Sequence, residues 1–315
     1  MSLIDVVITV KNGERYIGKA IESVISQTFN EWSLIIVNDC STDNTAELLN
    51  QYADLDSRIK ICHGNGLGIA AAANIGLGEC SAPYVARFDA DDICMPNRLS
   101  EQFSHLENSP NIVAVGSSVI QIDGDGRRLS KKMRPLLPSE IAFTLPYRNC
   151  LYHPTSLIRR SALNAINGYR EKFKLAEDYD LWLRLSEIGE LANIQEPLIY
   201  YRKHTMQVTD NSRAHLLTVY SVAAAIDYFL RKYLPDTYEC FLDDESHDDL
   251  ANKLRLLFLE QLTDPDAKAL IRHAIRLLRF SKKLSKEDRE NLFSVIKPRL
   301  TVLNRLKLYL YGICK

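Results

Sequence analysis

Hydrophobic positions follow two alternating rhythms over the first hundred residues. Residues 3–10 form a β-branched run containing Val6, Val7, Ile8 and Val10, the pattern of a strand buried on both faces. After Asn12-Gly13 the spacing changes, and Ile17, Ile21, Val24 and Ile25 recur at helical intervals. Residues 34–37 make a second buried strand. It runs into Asn38-Asp39-Cys40-Ser41-Thr42-Asp43, where Asp43 or a neighbouring Ser or Thr can cap a helix over 45–53. A third strand over 58–62 leads through Gly64, Gly66 and Gly68 into an Ala-rich helix ending near Gly78, and a fourth strand covers 83–88. Strands alternating with helices of this length predict an α/β fold with a parallel, helix-covered sheet.

Beyond Asp92 the rhythm loosens. The pattern predicts a helix over 96–106, a longer strand over 112–122, a basic loop over 127–138 and a short helix over 139–145. A strand over 155–159, a helix over 178–188 and a strand ending at Tyr200-Tyr201 follow. Strand signals stop near residue 211, which divides the chain into an α/β domain over 1–210 and a helical region over 211–315. In that second region Lys268, Arg272, Arg276, Arg279 and Lys283 recur as one basic stripe opposite Leu270, Ile271, Ala274, Leu277 and Leu278. Such a helix either lies on an anionic membrane surface or shows water a solvated face. A second stretch, 299–311, mixes Arg305 and Lys307 with leucines and tyrosines, which favours the surface.

Composition adds constraints. Hydrophobic residues at 46% and charged residues at 25% are ordinary for a soluble globular chain of 315 residues. A formal net charge of −1 gives no global attraction to nucleic acid. The charge is uneven, however: residues 268–315 hold thirteen Lys and Arg against three acids, so an anionic partner is expected for the tail. The seven cysteines contain no C-x-x-C pair, which argues against a disulfide framework or zinc site and for a reduced, cytoplasmic setting. The first ten residues lack the basic region of a signal peptide, and no segment reaches the roughly 18 apolar residues of a spanning helix.

Parallel sheets bind ligands beyond the carboxyl ends of their strands, and acids fall there: Asp39 after the second strand, Asp89-Ala90-Asp91-Asp92 after the fourth. Crowded carboxylates repel one another unless a cation compensates them. A divalent metal with oxygen ligands would do so, and would hold a diphosphate leaving group. The competing reading is a turn with a helix cap, in which Asp92 merely starts the helix after Pro96. Glu177, Asp178 and Asp180 carry a similar ambiguity, because acids favour any helix N-terminus. The spacing Gly64-x-Gly66-x-Gly68 departs from a dinucleotide fingerprint and reads as loop flexibility near donor phosphates.

The order of motifs narrows this. Val10-Lys11-Asn12-Gly13-Glu14-Arg15-Tyr16-Ile17, Ser23-x-x-x-Gln27-Thr28, Trp32-x-Leu34-Ile35-Ile36-Val37-Asn38-Asp39-x-Ser41-Thr42-Asp43 and Ala86-Arg87-Phe88-Asp89-Ala90-Asp91-Asp92 closely resemble the inverting family 2 glycosyltransferases. His153-Pro154-Thr155, Ala176-Glu177-Asp178-Tyr179-Asp180-Leu181-Trp182 and Tyr201-Arg202-x-His204 extend the resemblance, which covers roughly residues 3–210. It implies a GT-A fold, a Rossmann-like, mostly parallel sheet flanked by helices. It also implies bacterial polysaccharide biosynthesis (O-antigen, capsule or exopolysaccharide).

By that resemblance Thr9, Val10 and Glu14 contact the nucleoside of a nucleotide-sugar donor, and Asp39 accepts a hydrogen bond from uracil. Asp89 lies near the ribose or metal, Asp91 binds Mn2+ or Mg2+, and His204 is a further metal ligand or diphosphate contact. Asp178, with Glu177 beside it, matches the catalytic base. The acceptor would be a saccharide or lipid-linked saccharide, with peripheral contact at the inner face of the membrane. The sequence departs from the family in Thr9-Val10-Lys11-Asn12, where Pro-x-Tyr-Asn is common, and in Cys40, often Gly. Its Ala-rich helix lacks a basic residue, leaving Arg87 or Arg202 as candidate diphosphate contacts. The alternatives are a non-catalytic nucleotide-sugar-binding subunit and a sugar nucleotidyltransferase. The latter lacks its expected glycine-rich loop after the first strand.

Overall fold

The structure is a computed structural model that describes residues 2–146, 148–173 and 175–204, with isolated helical positions between Leu217 and Arg231. The chain divides into two compact units, Met1–Asp210 and Asn211–Lys315. In the second, Leu217, Ser221, Ala224, Ala225, Asp227, Tyr228 and Arg231 are helical, and Arg231 Nε lies 3.2 Å from Asp227 Oδ2. The basic stripe over 268–283 and the stretch over 299–311 lie outside the described residues. No described helix is long and apolar enough to cross a membrane.

The first unit is built on one sheet whose order is β3-β2-β1-β4-β8-β6-β9-β5, with β7 beside β6. Strands β1 (Ile4–Val10), β2 (Trp32–Asn38), β3 (Ile59–His63) and β4 (Tyr84–Asp89) run parallel. Helices α1 (Ile17–Ile25), α2 (Thr45–Leu55) and α3 (Ile69–Gly78) connect them. The apolar runs of β1 and β2 are buried almost throughout, because helices cover both faces of such a sheet. Ile17, Ala20, Ile21 and Val24 form the buried stripe of α1. Asp5, 1% exposed in this core, is satisfied by the N–H groups of Ser81 and Ala82, each 2.7 Å from Oδ2, and by the Ser33 hydroxyl.

The second half of the sheet is mixed. After the short β5 (Ile93–Cys94) and α4 (Arg98–Glu107), the long β6 (Ile112–Ile122) pairs antiparallel with β8 (Leu157–Arg159) and parallel with β9 (Glu190–Arg202). β8 in turn runs antiparallel to β4. The segment expected as a basic loop contains a strand, β7 (Arg128–Lys132), antiparallel to β6. A tight turn makes that hairpin: Asp123 N–H bonds Arg127 O, Gly126 N–H bonds Asp123 O, and Gly126 sits at φ +92. Charged side chains blunt an unpaired sheet edge, so β7 carries no alternating apolar signal. The expected helices appear as α5 (Pro138–Thr144) and α7 (Glu177–Leu185), with α6 (Arg160–Ala165) between them.

Candidate active site

The carboxyl ends of β1, β2 and β4 meet, with Val10 opposite Asn38 and Thr9 opposite Asp89. The loops that follow β1 and β2 bond to each other. Asn12 N–H donates to Ser41 Oγ (2.9 Å), Thr42 N–H to Asn12 Oδ1 (2.8 Å) and Gly13 N–H to Thr45 Oγ1 (2.8 Å). Glu14 is exposed, and its Oε2 accepts the Asn44 N–H at 2.9 Å, holding the start of α2. Asp43 accepts from Thr45 N–H at 3.1 Å and from Glu14 N–H at 3.2 Å. Cys40 adopts φ +59, a left-handed conformation that L side chains rarely take and that glycine takes readily.

Asp39 is 5% exposed, with its N–H on Val10 O at 2.8 Å and its Oδ1 accepting Gly66 N–H at 2.7 Å. A Cβ on Gly64 would lie 2.4 Å from Asp39 Oδ1 and 2.8 Å from its Cα. The expectation of loose glycines near donor phosphates is therefore revised. Gly64 gives the chain room to pass Asp39, and Gly66, at φ +76, turns its amide onto that carboxylate.

Asp89, Asp91 and Asp92 gather after β4, with one carboxylate oxygen from each within 4.8 Å of the others. Buried Arg87 sits 2.9 Å from Asp89 Oδ1 and donates to Thr9 Oγ1 at 3.1 Å. Burial pushes the Asp89 carboxyl up against the opposing pull of Arg87. Asp92 is not a helix start but a 1% exposed acid whose Oδ1 accepts Arg202 N–H at 2.8 Å. Its buried Oδ2 has no hydrogen-bond partner among the described residues. Burial, then the charges of Asp91 and Asp89, push its carboxyl well up. His204 Nε2 lies 2.8 Å from Asp91 Oδ2. An orphaned buried oxygen among three carboxylates, with an imidazole at the rim, fits a hard divalent cation such as Mg2+ or Mn2+.

Arg202 does not suit the diphosphate role considered for it. Its guanidinium donates to the carbonyls of Asp91 (2.7 Å), Asp123 and Gly124 (both 3.1 Å), and the residue is 2% exposed. It fixes the β6–β7 turn against the acidic cluster. The Ser23-x-x-x-Gln27 motif also proves to be a clamp on this region. Ser23 Oγ accepts Cys94 N–H at 3.0 Å, while Gln27 donates to Met95 O at 2.8 Å and accepts from Leu99 N–H at 3.0 Å.

Across the sheet, α7 presents Glu177 and Asp178 in its first turn. Asp178 Oδ2 accepts Asn149 Nδ2 at 2.7 Å, and Oδ1 accepts Tyr179 N–H at 2.6 Å. Burial pushes the Asp178 carboxyl up to about 6, the two hydrogen bonds opposing it. Burial and the neighbouring Asp178 charge push Glu177 up to about 7. Asp180 is paired with Arg170 and Arg184 and 0% exposed, so it holds α7 in place. His153 hydrogen-bonds Tyr169 Oη at 2.7 Å beside Trp182, and burial depresses its basicity well below the usual range. Sequence reasoning missed Asn149, an isolated amide without a motif. It also missed Arg98, whose helix reads as polar but which is 0% exposed and donates to Arg87 O at 2.7 Å beneath the cluster.

Residues 5–166 match the family described as glycosyl transferase family 2. The chain is 31% identical over 241 residues to the Escherichia coli O-antigen biosynthesis glycosyltransferase WbnJ, covering 74% of this chain and 90% of that one. It is 29% identical to the Erwinia amylovora amylovoran biosynthesis glycosyltransferase AmsE, covering 64% of this chain and 76% of that one. The fold resembles S. aureus TarS 1-349 in complex with UDP-GlcNAc, with a TM-score of 0.63 at 17% identity, covering 94% of this chain and 80% of that one. The chain belongs to glycosyl transferase family 2. It is a glycosyltransferase on a GT-A scaffold.

Proposed function

We propose that this protein is an inverting, metal-dependent glycosyltransferase that moves a sugar from a UDP-sugar to a saccharide or lipid-linked saccharide acceptor in cell-surface polysaccharide synthesis. The observation that carries the reading is the pairing of two acidic centres. One comprises Asp89, Asp91 and Asp92 with an unpartnered buried oxygen. The other is Asp178, held in place by Asn149 and its own helix N-terminus. The relatives above are named for the biosynthesis of O-antigen and of amylovoran, which supports the polysaccharide setting.

In this reading Asp39 accepts the imide N–H of uracil, and Thr9 and Val10 present backbone to the nucleoside. Glu14 faces the ribose from the loop it shares with α2. Asp89, Asp91 and His204 hold the divalent ion. When bound, that ion offsets the charge gathering on the departing diphosphate. Asp178 removes the proton from the acceptor hydroxyl as its oxygen attacks the anomeric carbon, and a carboxyl raised to about 6 is a stronger base than an ordinary one while still ionised at neutral pH. Glu177, raised to about 7, limits the negative charge beside it. The 1–210 unit carries this chemistry, and the 211–315 unit would carry the acceptor side or the membrane contact.

The test separates binding from chemistry. Thermal shift against a panel of nucleotide sugars with Mn2+ present should show stabilisation by at least one UDP-sugar, because a ligand of the folded state raises stability by mass action. Asp178→Asn should keep that shift and lose transfer by on the order of 10²–10⁴-fold, the usual worth of a general base. Full turnover in Asp178→Asn would overturn the base assignment, and a panel without any shift would overturn the donor assignment.

A further inference from the structure

Joined to Asp178 through Asn149 and Arg134 is a cleft of about 410 Å³ lined by Met133, Arg134, Glu140, Phe143 and Arg148 among others. None of these residues belongs to the motifs that carry the family resemblance. The walls are firmly built. Asn193 on β9, 5% exposed, donates through Nδ2 to Pro135 O at 2.7 Å and Cys150 O at 2.9 Å, and through its backbone to Leu136 O at 3.1 Å. Arg134 donates to Asn149 O at 3.0 Å, and the same Asn149 bonds Asp178. One residue therefore links the cleft to the proposed base.

The polar inventory of the cleft is unbalanced. Glu140 has an oxygen engaged by the Leu136 and Leu137 N–H groups, at 3.0 and 3.2 Å. Arg134 is half-buried over the Tyr152 ring, at 4.5 Å, with its buried Nε unpartnered. The exposed Arg148 guanidinium meets no carboxylate and no acceptor among the described residues. An exposed guanidinium with no acceptor of its own is available to a ligand, and a guanidinium pair lining one cleft matches the planar or tetrahedral oxyanions of carboxylate and phosphate. Exposed Met133 supplies apolar surface against which a sugar can rest.

We propose that this cleft is an acceptor subsite that reads an anionic group on the acceptor, with Arg148 and Arg134 as its ligands. The inference rests on the transferase reading above and adds the charge class of the acceptor. Two sources share that chemistry: the phosphate of a sugar phosphate, as at the foot of a lipid-linked saccharide, and the carboxylate of an acidic sugar.

Calorimetric titration of the full chain tests it, with UDP and Mn2+ saturating so that the donor site is filled. One arm compares N-acetylglucosamine 1-phosphate with methyl N-acetylglucosaminide. The other compares a disaccharide ending in glucuronic acid with its glucose-terminated counterpart. The anionic member of at least one pair should bind about tenfold tighter, the worth of a hydrogen bond to a charged group, and the arm that shows the preference assigns the source. Arg148→Ala should remove the preference while UDP affinity stays unchanged, and Arg148→Lys should restore part of it. Equal binding within both pairs, no binding of any probe, or a preference that survives Arg148→Ala would overturn the subsite and leave the donor reading standing. Failure of UDP itself to bind would overturn the donor reading and this inference with it.

Discussion

On the donor side of the sheet, neighbouring βα loops hold one another: Asn12 with Ser41 and Thr42, Gly13 with Thr45, Glu14 with Asn44. On the proposed acceptor side, segments are pinned by side chains arriving from distant parts of the chain, as when Asn193 reaches Pro135 and Cys150 or Gln102 reaches Val115 O and Thr155 O. The first arrangement gives a closed, self-satisfied rim around Asp39. The second leaves an open cleft with exposed Arg148 and Met133 on its wall. Under the proposed function, a common nucleotide would be met by a rigid local frame, and acceptor recognition would fall to loop segments that can change without disturbing that frame.

The largest expected effect breaks the boundary between the two sides. Asp91 carries His204 at 2.8 Å and supplies its backbone oxygen to Arg202, so only its carboxylate is removed by Asp91→Ala. Transfer should fall by on the order of 10²–10³-fold, the cost of losing one group that stabilises transition-state charge. The Mn2+-dependent part of the UDP thermal shift should vanish. Retention of metal-dependent binding in this variant would move the metal to other residues.

A smaller effect probes the rigidity of the donor frame. Gly64→Ala puts a methyl group 2.4 Å from Asp39 Oδ1 and 2.8 Å from a backbone atom, which no side-chain rotation relieves. Overpacking of this kind costs about 1–3 kcal/mol. UDP affinity should weaken about tenfold, since each ~1.4 kcal/mol is a factor of ten, with acceptor affinity unchanged. Equal weakening of both ligands by this variant would show that the two sides are not independent.

The same contrast explains what the sequence revealed. β1 to β4 and their helices were legible because each buried run lies within one βα unit, and Asp39, Asp89 and Asp91 fall at or just after strand ends. β7 was not legible, because an edge strand of Arg128, Lys131 and Lys132 carries no alternation. The crossing to antiparallel pairing at β8 was equally hidden: three residues give no period from which to read direction. Arg98 and Asn193 look like surface residues in sequence, and only long-range packing gives them buried partners. Asp92 was visible but ambiguous, and its burial against Arg202 decided between cap and cluster.

The smallest expected effect sharpens the acceptor side. The proposed base, Asp178, would act only when ionised, so transfer should fall on acidification through about pH 6, the value to which burial raises it. Asn149 donates to the ionised carboxylate at 2.7 Å and therefore stabilises the charged form. Asn149→Ala removes that donor, so the carboxyl rises further and the acidic limb of the rate profile must move to higher pH. A net hydrogen bond of about 1 kcal/mol corresponds to a shift just under one pH unit. At pH 8 the base is ionised in both proteins, so the rates there should agree within a few-fold. A limb that stays fixed, or moves to lower pH, would mean that the titrating group is not Asp178. Glu177, raised to about 7 and without that amide, would then be the group to test.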